Sequence, residues 1–291
     1  FSIFFTQKFL LSSSSKMALS IPQQQLANGM TIPSLGLGTY RAPPGGSAQQ
    51  AVQWALSSGY RHVDTAAVYG NEADVGKAVV GSGIPREQIF VTTKLWNDKH
   101  GAVELAFKDS LRKLGTGYVD LYLMHSPLSR LRLAAWKDML RLQESGLCRM
   151  VGVSNFGIQH LQEIEAAGLP LPVINQIEVH PFLQRRELVA YCRSKNILVQ
   201  AYSPLAKASK LDDPRLVAVA RRVGRTPAQV LIRWSLQKGF NCIPKSVDKA
   251  RIQANLEVLD WSLDEEAVRA LDALEEGLVT GWDPVAASLA E

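Results

Sequence analysis

From residue 20 onward, short runs of aliphatic and β-branched residues alternate with longer stretches whose apolar positions recur at helical spacing. The runs are "IPSLGLG", "RHVD", "IFVTTK", "VDLYLMH", "RMVGVSN", "VINQIEV", "ILVQAYS" and "NCIPKS". Stretches such as "SAQQAVQWALSSG", "GAVELAFKDSLRKLG" and "RRELVAYCRSKN" lie between them, with Gly59, Gly115 and Gly146 where helix C-caps belong. Strands alternating with helices build a parallel sheet. Eight such units within about 250 residues fit a closed (β/α)8 TIM barrel better than an open sheet. A short N-terminal hairpin turning at Asn28-Gly29 precedes them. An extra helix is expected before the eighth strand, in "TPAQVLIRWSLQKG", capped by Thr226 with Pro227 at its first position. An open dinucleotide-binding sheet would want G-x-G-x-x-G after its first strand. "GLGTYR" at Gly36 lacks the third glycine, and no acidic residue follows about 20 positions on.

Composition narrows the class without changing the fold. The 291 residues are 46% hydrophobic and 20% charged, which is globular. Cys148, Cys192 and Cys242 are widely spaced and suggest neither a disulfide framework nor a zinc site. No apolar run approaches the ~20 residues of a membrane span. The net charge of +5 is diffuse, so nucleic-acid binding is not indicated, while a small anionic ligand fits. No Asp or Glu precedes Asp64, whereas "LDEEAVRALDALEE" near the end is acid-rich. The opening "FSIFFTQKFLLSSSSKMALS" lacks acids and is rich in Ser. It reads either as part of an organelle transit peptide or as sequence upstream of a start at Met17. Residues 1–19 are therefore set apart, and 20–291 are taken as a single catalytic domain. The corresponding location is cytoplasmic, or a plastid or mitochondrion if the leader is genuine.

Chemistry in such a barrel sits at the C-terminal ends of the strands. The run ends supply Asp64, Lys94, His125, Ser154 with Asn155, Ser203, and Lys245 with Ser246. One or two polar residues there would serve as caps; a carboxylate, an amine, an imidazole and an amide on one face call for more. Lys94 follows a buried-strand pattern, and a buried ammonium needs a partner, which Asp64 on the adjacent strand supplies. Tyr69 follows Asp64 in a small-residue loop. A phenol titrates near pH ~10, and a neighbouring ammonium lowers that value. Tyr69 then becomes a general acid, with His125 donating to the same substrate oxygen. The rival reading of "HVD" is a metal site on His62 and Asp64. It would need further ligands on other strands, and only His100, His125, His160 and His180 remain.

Three segments carry a family resemblance. "GYRHVDTAAVYGNEADVG", "LRLQESGLCRMVGVSNF" and "IPKSVDKARIQANLEV" resemble the three ordered signatures of the aldo-keto reductase family, and the similarity runs from about Met30 to Pro284. The resemblance implies a (β/α)8 barrel that uses NADPH/NADP+ without a Rossmann fold. It places the catalytic tetrad on Asp64, Tyr69, Lys94 and His125. It implies that Ser154, Asn155 and Gln176 bind the nicotinamide carboxamide and that Tyr202 stacks on the ring. Ser203 and Leu205 would also contact the cofactor. Lys245, Ser246 and Arg251 would meet the phosphate on the adenosine ribose, and Asn255 the adenine. Two cations at that phosphate favour NADPH over NADH.

Several positions depart from better-known members of the family. Tyr40 stands where Trp is common, Ser126 follows His125 where Trp is frequent, and Ala254 replaces a frequent Glu. Asp248 puts a carboxylate in the phosphate segment, where repulsion would weaken the NADPH preference. The loop "SPLSRLRLAA" between His125 and Trp136 has only ten residues. This short-loop pattern implies an open pocket walled by Tyr40, Trp96 and Trp282, with His125 at its base. Arg130 and Arg132 near the mouth would favour anionic substrates or face solvent. The expected activity is NADPH-dependent reduction of small aldehydes and ketones by a monomer, with no metal, nucleic acid or membrane partner. A cofactor-binding regulatory subunit with little turnover and a metal-dependent barrel hydrolase are the alternatives.

Overall fold

The computed structural model describes residues 21–290, so the leader reading lies outside the described residues. Two antiparallel strands, β1 (Gln23–Gln25) and β2 (Thr31–Pro33), form the opening hairpin. Of the Asn-Gly pair only Gly29 takes a positive φ, of 80°, and residues 26–30 form a wider loop. Eight parallel strands follow: β3 (Leu37–Gly38), β4 (His62–Asp64), β5 (Phe90–Leu95), β6 (Val119–Met124), β7 (Cys148–Ser154), β8 (Ile174–Glu178), β9 (Leu198–Tyr202) and β10 (Asn241–Cys242). The run "IPSLGLG" is thus divided between the hairpin and the barrel. Each strand pairs with its sequence neighbour. The barrel closes where Leu35 bridges Cys242 and Gly38 bridges Lys245, with Gly36 and Gly38 donating to the carbonyls of Cys242 and Pro244. Small residues are required at that seam: a Cβ on Gly36 would lie 2.5 Å from His62 Nδ1, and one on Gly38 2.9 Å from the Ile243 carbonyl.

Helices α1 (Ser47–Ser57), α2 (Glu72–Val80), α3 (Val103–Leu114), α4 (Arg132–Glu144), α5 (Ile158–Ala166) and α6 (Arg186–Ser194) alternate with the strands. Two helices, α7 (Pro214–Val223) and α8 (Pro227–Gln237), stand between β9 and β10, as the sequence predicts for the second of them. Short α9 (Lys249–Ala254) and α10 (Glu265–Asp272) complete the chain. Helix α3 buries Val103, Phe107, Ser110 and Leu114, one stripe at spacings of three and four, and stops at Gly115 with φ 63°. Helix α8 starts in a capping box between Thr226 and Gln229, with Pro227 just inside. Among the described residues no helix is long and apolar enough to cross a membrane.

Among the described residues the buried apolar side chains form two regions. The larger lies between strands and helices and contains Trp136, Trp234, Phe107 and Phe156. The smaller fills the barrel's lower interior, where Phe90, Leu121, Leu123, Met150 and Ile174 meet Leu26 and Ile32 of the hairpin. The hairpin therefore plugs the N-terminal end of the barrel. Polar chemistry is left to the other end.

Candidate active site

Asp64 is the last residue of β4, Lys94 lies near the end of the neighbouring β5, and His125 directly follows β6. Tyr69 ends a single 3-10 turn, Ala67–Tyr69, that leaves β4. Lys94 is wholly buried, and its ammonium meets three acceptors: Asp64 Oδ1 at 2.6 Å, the Thr65 carbonyl at 2.7 Å and the Tyr69 hydroxyl at 3.4 Å. An ammonium offers three donors and no acceptor, so this geometry uses all of its capacity. Burying such a charge is tolerable only with this degree of pairing. The Tyr69 and His125 rings stand edge to face with centroids 5.6 Å apart. The four residues taken from strand ends and loop thus converge on one spot.

Burial pushes Asp64 up and Lys94 down, and their ion pair pulls both back. Burial, with the carboxylate of Asp64 and the phenols of Tyr202 and Tyr40, holds Tyr69 well above the ordinary phenol range. The expected lowering by Lys94 does not hold in this arrangement. The carboxylate 2.6 Å from the ammonium balances its charge, and desolvation decides the direction. Tyr69 therefore stays protonated throughout the neutral range. Burial and the Lys94 charge hold His125 well below the usual imidazole range, so it is neutral.

The residues expected to hold the cofactor surround this spot. Ser154 Oγ donates to the Gln176 carbonyl at 2.8 Å. Asn155 has a left-handed backbone, φ 62°, fixed by bonds to the carbonyls of Gln176 and His125 and by the Tyr202 hydroxyl at 2.8 Å. Strain of this kind persists only where surroundings over-determine it. Gln176 Nε2 donates to Asp64 Oδ2 at 2.8 Å, a link the sequence reading did not anticipate. After β9, Ser203 and then Ala206, Lys207 and Ala208 are all left-handed, and half-buried Leu205 packs on the core between them. Burial, and then the positive charge of nearby Arg41, lower the pKa of Lys245. Among the described residues no ion pair engages Arg41, Lys245 or Arg251. The neighbouring cations Arg41 and Lys245, without carboxylate partners, fit a phosphate, and Arg41 was missed because it lies far away in sequence. Asn255, just past α9, is buried. Asp248 caps α9, accepting from the Arg251 amide at 2.9 Å, so its carboxylate is engaged with the helix start.

Aromatic side chains form the walls. Trp96 packs on His125 at 5.0 Å and on Trp282 at 5.8 Å, while Tyr40 packs on Tyr69 at 5.1 Å. Tyr40 and Trp282 remain 45% and 44% exposed, so the pocket is open, as the short loops imply. Ser126 Oγ donates to Asn97 Oδ1 at 2.8 Å and ties two loops together. Arg130 faces solvent, as one of the two readings has it, whereas the expectation for Arg132 needs correction. Arg132 is buried against Glu163, at 2.6 and 3.0 Å, and the Leu289 carbonyl, while Arg130 reaches the Ala290 carbonyl. Both hold the tail. Another missed anchor is Glu178, which accepts from the backbone and hydroxyl of Thr280 and so holds the segment carrying Trp282. In "HVD", His62 Nε2 faces Thr92 Oγ1 at 3.2 Å while both Asp64 oxygens are taken by Lys94 and Gln176. Among the described residues no three His, Cys, Asp or Glu gather as metal ligands.

A family model described as "Aldo/keto reductase family" matches residues 34–276. The chain belongs to the aldo/keto reductase family. It is an NADP(H)-dependent oxidoreductase of that family. This reductase is 44% identical over 265 residues to the methylglyoxal reductase DkgA of Escherichia coli K12, covering 89% of this chain and 96% of that protein. It is 43% identical over 264 residues to the 9,11-endoperoxide prostaglandin H2 reductase of Trypanosoma cruzi, covering 89% and 93%. A solved Bombyx mori aldo-keto reductase in complex with NADP superposes with a TM-score of 0.85 at 38% identity, covering 90% of this chain and 95% of that one.

Proposed function

We propose that this reductase converts small aldehydes and ketones to alcohols, with Tyr69 as the proton donor. The observation that carries this reading is the Lys94 ammonium, 2.6 Å from Asp64 and 3.4 Å from the Tyr69 hydroxyl, at the open end of the barrel. Bound NADPH supplies the hydride for the carbonyl carbon. Tyr69, kept protonated by burial, passes its proton to the carbonyl oxygen as negative charge develops there. Lys94 stabilises the phenolate that remains, and Asp64 keeps Lys94 charged and in place. Neutral His125 orients the carbonyl oxygen by hydrogen bonding. Ser154, Asn155 and Gln176 would hold the carboxamide, and Tyr202 the nicotinamide face. Ser203 and Leu205 would line its path. Lys245, Ser246 and Arg251 would hold the ribose phosphate and Asn255 the adenine, which favours NADPH over NADH. Tyr40, Trp96 and Trp282 would shield the substrate. Residues 20–291 act in this reading as one catalytic domain and as a monomer.

NADPH consumption against a panel of small aldehydes, ketones and sugars, with NADH in parallel, tests the reading. Methylglyoxal belongs in the panel because a relative named for its reduction is 44% identical. Turnover of small aldehydes with NADPH favoured is expected. Tight NADPH binding without turnover anywhere in the panel would overturn it.

A further inference from the structure

Behind Asp64 a row of buried amides crosses the barrel interior to the hairpin plug. Gln176 Nε2 donates to Asp64 Oδ2 at 2.8 Å and to Gln200 Oε1 at 2.5 Å. Gln200 Nε2 donates to Asn241 Oδ1 at 2.7 Å. Asn241 Nδ2 in turn donates to the Pro33 carbonyl at 2.7 Å and to Gln24 Oε1 at 3.1 Å. Gln176, Gln200 and Asn241 are at most 2% exposed. The row thus joins β8, β9 and β10 to the first hairpin.

Its direction is determined by its ends. A backbone carbonyl and a carboxylate only accept, and each side-chain amide has a donor end and an acceptor end. The Pro33 carbonyl requires the nitrogen of Asn241, which turns the oxygen of Asn241 to Gln200. Gln200 must then present its own oxygen to Gln176. Asp64 asks for the same nitrogen of Gln176 from above. Both bonds use Nε2, so Oε1 of Gln176 is consumed by neither. A row of opposite polarity would tie up that oxygen against Gln200.

We propose that Gln200 and Asn241 are positioning residues that fix the Gln176 amide so that its oxygen is the acceptor offered to the nicotinamide carboxamide. The inference rests on the proposed contact between Gln176 and that carboxamide. It makes the hairpin plug part of the reductase's cofactor-orienting machinery, although Pro33 lies at the opposite end of the barrel. Removing Gln200's polar atoms frees the Gln176 amide to swing about its remaining bond to Asp64.

The test compares Gln200→Met with Gln176→Ala, by fluorescence titration of two probes and by steady-state turnover. NADP+ carries the nicotinamide; adenosine 2′,5′-bisphosphate carries only the adenine end. Gln200→Met is expected to raise the Kd for NADP+ about tenfold, one hydrogen bond's worth, and to lower kcat. The Kd for the bisphosphate should stay within a factor of about two, because a loss at the nicotinamide end is not shared by the adenine end. Gln200→Glu should restore NADP+ binding, since a buried carboxyl in its protonated form has the donor and acceptor of the amide. A Gln200→Met protein that only melts earlier, with NADP+ affinity intact while Gln176→Ala loses it, would overturn the proposal and leave the site reading standing. Unchanged NADP+ affinity in Gln176→Ala would overturn that reading and the proposal together. Should Gln200→Met not fold, Asn241→Leu, which cuts the row one step further away, carries the same expectations.

Discussion

Two buried aspartates at opposite ends of the barrel show how one residue type serves two purposes. Asp120, the second residue of β6, lies at the plugged end, where it accepts from Arg86 at 2.8 Å, Arg149 at 3.3 Å and the Val91 amide at 2.9 Å. Its arginines reach water, with side chains 19% and 43% exposed, and both stack on the Tyr118 ring, at 4.0 and 4.7 Å. Asp64 closes β4 at the open end, and its partner Lys94 is 0% exposed. Bidentate or stacked arginines hold strands together and cannot surrender a proton. A buried lysine does more: its third donor is aimed at a phenol. Partner choice, rather than the carboxylate, separates a rivet from the proton-transfer site proposed at Tyr69.

The largest expected effect tests the phenol itself. Tyr69→Phe should lower kcat by about 10³-fold, within the range for losing a general acid, while NADPH binding by fluorescence titration stays unchanged. Retained turnover would remove Tyr69 from the proton's path. Exchanging the two aspartates is the direct comparison. Asp64→Asn should cost about 10²-fold in kcat. Asp120→Asn should leave kcat alone and cost about 1–2 kcal/mol in urea denaturation, since the buried Val91 amide and two arginines that reach water then face a weaker acceptor. Equal effects of the two on turnover would erase the distinction. At the adenine end, Arg251→Ala should raise the Kd for NADPH about tenfold, the scale of one charge-assisted bond, and hardly change that for NADH. Parallel changes would take Arg251 off the ribose phosphate.

Acid stability gives the smallest effect near neutrality. Burial lowers His62 to about 3 and His100 to about 4, and His125 lies well below its usual range. The unfolded chain therefore binds more protons than the native one once pH falls below the unfolded value of about 6.5. The stability these residues contribute is complete above that value and is lost as pH falls through the folded ones. Melting temperatures should be level from about pH 9 to 7 and decline below about pH 6. A flat profile down to pH 4 would contradict neutral burial of these imidazoles.

The barrel and its four central residues were legible because polar residues stand out at the ends of apolar runs. Asp64, Lys94 and His125 follow directly from that contrast, and Tyr69 from its place in the next loop. What escaped depends on partners remote in sequence. Arg132 looks like a mouth residue until Glu163, 31 positions away, is seen to bury it. Gln176 has no visible tie to Asp64, 112 positions earlier. The direction of the Tyr69 pKa was misjudged because burial, the Asp64 carboxylate and the phenols of Tyr202 and Tyr40 outweigh Lys94, the one group considered. Asp248 could have been recognised as a helix cap, since it sits three residues ahead of Arg251 at the start of a helical segment.

The hairpin at the plugged end has a practical corollary. A fluorophore or resin attached at the exposed hairpin loop around Asn28 meets the molecule at its plugged end, with the depth of the barrel separating it from Tyr69. Attachment through the tail would instead load the stretch that Arg130 and Arg132 hold near Trp282. Tethering at the hairpin is the orientation that leaves the opening beside Tyr69 clear.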